Sequence, residues 1–323
     1  MKKYWKEFWV GILLSFGFIG IVGLIGGRLD SIELLPDAGA SWYYWKLPTK
    51  EFWPRLSAWS FYIFHQVSVW ILIYLSQFKD SKKRNQRRIQ LYGVNIFFIL
   101  LHIVQTHIWY DGLAQDVPVM SSQGSVIVML VLILIMDNKS RGLFFGKKYK
   151  GFERPTELIR KYHGYFIAWA IVYTFWYHPT IVTAGHLVGF FYMNLLFIQM
   201  SMIYTPVHMN KNWRLILEVG VLFHGTMVAI GQGNNMWPMF CFGFGFMTVV
   251  TQVYGLANKR VRIAIQALYI IGVIVVFGGF TGHRVMTDVH QITWIPIIEY
   301  GLVFVFLIVG ELGFRFKDLV FKR

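Results

Sequence analysis

The stretch "GVNIFFILLHIVQTHIWYDG", residues 93–112, decides the fold, because its apolar side chains run almost unbroken to Trp109 and Tyr110 and then to an acidic turn. The apolar run to which it belongs, 89–110, has the roughly 20 residues that an α-helix needs to cross a hydrocarbon core of about 30 Å. Tryptophan and tyrosine are favoured where such a helix leaves the membrane. The stretch therefore predicts a transmembrane helix.

The same pattern recurs along the whole chain. Of its 323 residues, 56% are hydrophobic and only 15% are charged, whereas soluble domains have about 25% charged residues. Runs of apolar residues bounded by charge, glycine or proline occur at 8–27, 57–77, 89–110, 118–136, 162–180, 184–204, 214–231, 236–256, 262–282 and 292–314. We therefore predict an all-α integral membrane bundle of about ten transmembrane helices, with residues 1–323 forming a single transmembrane domain.

The positions of lysine and arginine predict the orientation of these helices. With the N-terminus in the cytoplasm, 26 of the 31 basic residues fall in cytoplasmic segments, above all in the loops 78–88 and 137–161. Cytoplasmic loops of membrane proteins carry this excess of basic residues. Both termini are thus predicted to be cytoplasmic, in a cell membrane. The net charge of +15 is expected to face an anionic cytoplasmic leaflet and not a nucleic acid.

Several classes of chemistry are excluded by the residues that are missing. The single cysteine, Cys241, lies in an apolar run, so the chain contains neither an internal disulfide nor a multi-cysteine metal cluster. The cytoplasmic loop 137–161 has no phosphate-binding GxxxxGK[ST] or GxGxxG sequence. We do not expect this chain alone to use ATP.

The predicted outer loop, 28–56, is rich in aromatic residues: Trp42, Tyr43, Tyr44, Trp45, Phe52 and Trp53. Rings of this kind are favoured at the level of the lipid headgroups. The loop is therefore interpreted either as an interfacial belt or as a lid over a cavity that opens to the outer side.

Histidine is the residue type that most needs an explanation in this chain. Eight of its ten histidines lie at the membrane centre or on the predicted outer side: His65, His102, His107, His178, His186, His224, His283 and His290. At a rise of about 1.5 Å per residue, His65, His102 and His224 lie near the midplane on three different helices. Because hydrocarbon satisfies no imidazole nitrogen, we expect these three to converge. The alternative is that each forms an ordinary hydrogen bond between helices.

Neutral imidazoles can bind Zn, Cu or Fe, or supply the axial ligands of a b-type haem. The candidate metal ligands are His65, His102, His107 and His224, and the candidate cofactor-binding residues are His102, His178, His186 and His224. His107 lies about 8 Å above His102 on another face of the same helix, so we expect it to matter less. Histidine also exchanges protons with carboxylates, for which the candidate catalytic residues are Asp111, Asp288 and Glu299.

These patterns predict an integral membrane protein with an outward-facing, histidine-rich site. The preferred hypothesis is a metal- or haem-dependent membrane enzyme or redox protein that acts on a lipid-soluble or extracytoplasmic small molecule. One alternative is a proton-coupled secondary transporter, in which Glu218, Glu299 and Glu311 would titrate together with the histidines. The other is a structural or assembly subunit of a larger membrane complex.

Overall fold

The computed structural model of the protein describes residues 2–36, 45–78, 80–233, 235–282 and 284–321. Within these ranges the chain is helical and contains no β-strand. The ten α-helices are α1 Lys2–Ile25, α2 Phe52–Ser76, α3 Ser81–Trp109, α4 Val119–Arg141, α5 Glu153–Tyr177, α6 Ala184–Ser201, α7 Lys211–Gly231, α8 Trp237–Val250, α9 Lys259–Phe277 and α10 Trp294–Phe321. Each coincides with one of the predicted apolar runs.

Seven helical segments in the described part of the chain are long and apolar enough to cross a membrane: Lys2–Leu29, Phe52–Ser76, Ser81–Trp109, Val119–Arg141, Lys211–Gly231, Lys259–Phe277 and Met286–Phe321. Their outward faces are strongly apolar. Leu24 on α1 and Leu319 on α10 are 88% and 81% exposed, although water disfavours apolar surface by about 25 cal/mol per Å². The prediction of a helical, multi-pass membrane protein is therefore confirmed.

Side-chain caps fix where several helices begin. The Asp80 carboxylate accepts hydrogen bonds from the backbone N–H groups of Lys82 and Lys83 at the start of α3, and Asn210 and Asn258 cap α7 and α9 in the same way. Such caps satisfy N–H groups that have no partner inside the helix. Because Asp80 caps α3, this helix starts inside the basic segment 78–88, which was predicted as a loop.

The chain divides into two compact units, each built from two separate segments. Unit 1 comprises Met1–Val126 and Gly164–Met209, and unit 2 comprises Ile127–His163 and Asn210–Arg323. In unit 1, α2 packs on α3, and α6 packs on both α1 and α3. In unit 2, α8 is central and packs against α7, α9 and α10.

The core of unit 2 is apolar, with a short polar connection inside it. Its buried side chains come from α4, α8 and α10 and from the segment between α4 and α5: Val131, Leu134, Ile135, Leu143, Met247, Val249, Val250, Tyr300, Val303 and Leu307. Thr251 bonds the carbonyl of Leu143, and its hydroxyl lies 2.6 Å from that of Tyr300. These bonds satisfy polar atoms that burial would otherwise leave without partners.

Candidate histidine site

His102 lies about two turns before the end of α3 and is 1% exposed. Its Nε2 lies 2.8 Å from the backbone carbonyl of His178, just beyond α5. Because a carbonyl only accepts, Nε2 of His102 carries the proton and Nδ1 is the lone-pair nitrogen. Among the described residues Nδ1 has no hydrogen-bond partner. The ring instead packs against Phe175 and Trp176, at centroid distances of 4.7 and 4.4 Å.

His178 lies in the segment that joins α5 to α6, and His186 lies beside it in the first turn of α6. Their ring centroids are 5.4 Å apart, and both side chains are partly buried. Thr183 caps α6 by accepting from the backbone N–H of His186, and its hydroxyl also lies 3.0 Å from Nδ1 of that ring. Trp45 packs on His186, with the centroids 3.8 Å apart. We call His102, His178, His186 and Trp45 the histidine cluster.

Asp111 lies in the turn after α3, where the adjoining Gly112 approaches the backbone of Tyr177 and His178. Tyr110 adopts a left-handed conformation that ends the helix, and a Cβ at Gly112 would lie 2.7 Å from the carbonyl oxygen of Tyr177. Only glycine permits the turn to approach the backbone before His178 this closely. The carboxyl of Asp111 is 2% exposed and accepts from the backbone N–H of Gly112 at 2.6 Å.

The environment of Asp111 makes it a carboxyl that titrates near neutral pH. Burial, together with the nearby Asp116 carboxylate, raises its pKa from an ordinary 3.8 to about 7. The bond from Gly112 and the charges of Arg55 and Lys50 oppose this rise only in part. Desolvation disfavours the charged form of a carboxyl, which explains the direction of the shift.

Gln115 and Asp116, in the turn after α3, form hydrogen bonds and ion pairs with the predicted outer loop, which carries Trp45, and with the start of α2. The side chain of Gln115 donates to the carbonyl of Trp45 at 3.1 Å and accepts from the N–H of Leu47 at 3.0 Å. Asp116 accepts from the indole of Trp59 and pairs with Arg55 and Lys50. Although burial alone would raise the pKa of Asp116, the hydrogen bonds from Trp59, Arg55 and Lys50 keep it below its ordinary value.

His65 is fully buried on α2, and hydrogen bonds occupy both of its ring nitrogens. Nε2 lies 3.0 Å from the side-chain oxygen of Asn95, and Nδ1 accepts from the indole N–H of Trp176 at 3.2 Å. Asn95 in turn donates to the hydroxyl of Ser201 on α6 at 2.9 Å. Trp176 contacts His102 as well, so one indole connects His65 to the histidine cluster. This network joins α2, α3, α5 and α6 through polar side chains.

The other predicted site residues lie in different surroundings. His107 bonds the carbonyl of Ile103 on its own helix. His224 lies on α7 and Glu299 on α10, both in unit 2, and Glu299 is 2% exposed. Asp288 accepts from the N–H of Val285 and so caps the 3-10 helix Met286–Thr293. The convergence of His224 with His65 and His102 remains a prediction.

Among the residues that the structure describes, no group of three or more His, Cys, Asp or Glu side chains is arranged to hold a metal ion. His283 lies outside the described residues, as do Trp42, Tyr43 and Tyr44 of the predicted aromatic belt or lid.

Sequence reasoning missed the residues that assemble the histidine cluster, namely Gln115, Thr183 and Trp176. Only Thr183 has a sequence signal, because a threonine three residues before His186 at a helix start is typical of an N-cap. The bonds of Gln115 and Trp176 join distant segments and depend on how the helices pack.

No protein-family model matches the chain, and no curated protein or solved structure matches it.

Proposed function

We propose that the chain is an integral membrane enzyme whose site is the histidine cluster together with Asp111. The observation that supports this proposal is the adjacency of His178 and His186, with His102 bonded to the His178 backbone and with the buried, near-neutral carboxyl of Asp111 in the turn that approaches that backbone. Groups with pKa values close to the working pH are the most effective general acids and bases. The substrate would be a small molecule that is lipid-soluble or reaches the cluster from the predicted outer side.

The cluster assigns different roles to its members. His178 and His186 are partly buried, and Thr183 orients the ring of His186 as a general base requires. His102 is a positioning residue, because its bond to the carbonyl of His178 fixes the backbone of that residue. Asp111 would take up or release a proton near neutral pH.

A metal- or haem-dependent form of the enzyme belongs to the same proposal. In that form, the adjacent rings of His178 and His186 would supply two neutral imidazole ligands to Zn, Cu, Fe or a haem iron. Two histidines are fewer than the three protein ligands of most catalytic zinc sites. A bound metal would therefore keep positions for water, substrate or further ligands.

The proposed placement of the site depends on the topology of ten transmembrane helices with both termini in the cytoplasm. This topology is supported by the match between the ten helices and the ten apolar runs. It is also supported by the concentration of basic residues in the segments that it places in the cytoplasm. In this topology the turn 110–118 and the histidine cluster lie on the outer side.

The carboxylates of unit 2 favour proton-coupled transport as a second candidate. Glu218 on α7 pairs with Arg141 at 2.6 Å, and Arg141 also approaches Asp137. Glu299 on α10 is 2% exposed, and in the described part of the chain its Oε2 has no hydrogen-bond partner. Buried acidic groups of this kind occur along proton pathways of membrane carriers.

Comparison of cells that produce different variants would test the enzyme proposal. Mass spectrometry of membrane lipids and of extracytoplasmic small molecules should reveal a product in cells with the wild-type chain that His186→Ala and Asp111→Asn abolish. His290→Ala is the matched control, because this histidine of unit 2 is exposed and bonds the nearby backbone carbonyl of Thr287. Identical profiles for all variants would contradict the proposal.

Two further measurements separate the forms of the proposal. Absorbance spectra and elemental analysis of the purified chain should show stoichiometric iron, copper or zinc if the metal-dependent form is correct, and His178→Ala should remove it. In proteoliposomes, uptake that requires a pH gradient and yields no new product would favour the carrier.

A further inference from the structure

A groove of about 590 Å³ runs between α2 and α3, at the end of this helix pair where α2 finishes and α3 starts. Its walls are largely apolar and include Ile71 and Leu75 of α2 and Val94 and Phe97 of α3. Ile71 and Phe97 are 52% and 58% exposed. The volume lies within the range of about 300–1,000 Å³ that is typical of ligand sites.

Gly93 forms part of the floor of this groove and leaves space there. A Cβ at this position would meet no atom within 4 Å, so close helix packing does not require glycine at position 93. Glycine inside a helix costs about 1 kcal/mol relative to alanine. Because Gly93 has no side chain, the surface of α3 between Arg87 and Phe97 stays open.

One end of the groove is positively charged. Arg87 lines it and donates to the side-chain oxygen of Gln90 at 2.8 Å. Lys82 and Lys83 lie exposed in the first turn of α3, where the helix dipole adds further positive potential. The acidic group at this helix start is Asp80, whose carboxylate caps the helix and lies 3.9 Å from the ammonium of Lys83.

The neighbouring arginines are engaged by the protein. Arg88 pairs with Glu7 at 2.7 Å, and Arg84 donates to the carbonyls of Ser76 and Phe78. Arg87 differs from them because its guanidinium donates to the neutral side chain of Gln90. It pairs with no carboxylate among the residues that the structure describes, so its charge is available to the groove that it lines.

We propose that this groove binds an anionic phospholipid, with one acyl chain along the apolar walls and the headgroup phosphate on Arg87 and the adjacent lysines. From Arg87 to Phe97 the helix rises about 15 Å, which is half of a hydrocarbon core of about 30 Å and so the depth of one leaflet. Basic pockets between transmembrane helices are suited to anionic headgroups. The proposal is independent of the chemistry at the histidine cluster.

Native mass spectrometry of the full-length chain in neutral detergent tests this proposal. The chain is incubated with phosphatidylglycerol or, in parallel, with phosphatidylcholine of the same acyl chains, and the lipid-bound fraction is measured. Arg87→Gln removes the charge, and Gly93→Leu fills the groove. Their matched controls are Arg260→Gln, a cation in the first turn of α9, and Gly20→Leu, which like Gly93 has no atom within 4 Å of a Cβ.

We expect phosphatidylglycerol to bind more tightly than phosphatidylcholine, and Arg87→Gln to weaken its binding about fivefold, as the loss of one cation at an anionic headgroup predicts. Gly93→Leu should weaken the binding of both lipids, and the two controls should bind as the wild type does. Equal binding of the two lipids by the wild type, or equal effects of the test and control variants, would overturn the proposal. So would inorganic phosphate binding that matches lipid binding and survives Gly93→Leu, or a dimer of the chain that Gly93→Leu abolishes.

Discussion

The Nε2 atom of His102 lies 2.8 Å from the backbone carbonyl oxygen of His178. Together with the bond from the N–H of Thr180 to the hydroxyl of Thr106, this hydrogen bond connects α3 to the segment after α5. Since the acceptor belongs to the backbone, no substitution of the side chain at position 178 removes it. The side chain that decides whether this bond forms is therefore that of residue 102.

Replacement of His102 should lower the free energy of unfolding by an amount that depends on the new residue. His102→Ala loses a hydrogen bond and leaves a cavity among Phe175 and Trp176, which together should lower the free energy of unfolding by about 2–4 kcal/mol. His102→Gln keeps an N–H donor and should lower it less. Thermal unfolding in detergent should rank the wild type first, Gln second and Ala third, and an Ala variant as stable as the wild type would contradict this role.

Asp111 should make the protein less stable as the pH rises. Because burial raises its pKa from 3.8 to about 7, the folded chain binds this proton more tightly than the unfolded chain does. The contribution of the protonated carboxyl is complete below about pH 4 and is lost as the pH rises to about 7, by up to roughly 4 kcal/mol. Unfolding temperatures measured between pH 4 and 8 should show this loss in the wild type.

The variant Asp111→Asn checks the assignment to Asp111. Asp111→Asn keeps an oxygen that accepts from Gly112 but does not titrate, so its unfolding temperature should lack this fall with pH. Asp116 has the opposite sign, because its lowered pKa stabilises the folded chain at neutral pH and that stability disappears in acid. If Asp111→Asn follows the same pH profile as the wild type, the carboxyl is not the group responsible.

The ion pair between Arg141 and Glu218 should be among the most sensitive positions of unit 2. Both side chains are 6% exposed, and removal of one partner from a buried pair costs about 3–5 kcal/mol. Glu218→Gln should therefore lower the unfolding temperature sharply. Glu311→Gln, which breaks the more exposed pair with Arg315, should cost no more than about 1 kcal/mol. Similar losses for both variants would contradict this distinction.

The distribution of basic residues predicts on which side of the membrane each loop lies. Reporter fusions after Arg84 and Lys150 should report the cytoplasm, and fusions after Trp45 and Thr287 should report the outer side. A reversed result at either pair would place the histidine cluster on the cytoplasmic side of the membrane.

The sequence was sufficient to predict the helices because each one needs only a local apolar run. It also indicated His102, His178 and His186 as candidate site residues, which remains a prediction. It could not predict which of them would meet, since depth along a helix does not determine how that helix is rotated or which helix lies beside it. The partner of His102 is a backbone carbonyl, and every residue type has one.

The sequence alone also could not predict that Asp111 is buried. An aspartate followed by glycine at the end of a helix predicts an exposed turn. In the structure, the left-handed Tyr110 and the close approach of Gly112 to the carbonyl of Tyr177 turn the carboxyl inward. This placement depends on contact between segments that lie more than 60 residues apart in the chain.

The division of unit 1 into two segments has a consequence for the order of events during synthesis. His65 and Asn95 emerge early, but their partners Trp176 and Ser201 belong to the later segment. At roughly 5–20 residues per second, the ribosome needs about 5 to 20 s to advance from Asn95 to Ser201. During that interval His65 and Asn95 can bond each other, but Nδ1 of His65 and the side-chain N–H of Asn95 lack their partners from the later segment. A chain that stops before Gly164 would keep this defect permanently and should be recognised by membrane quality-control proteases.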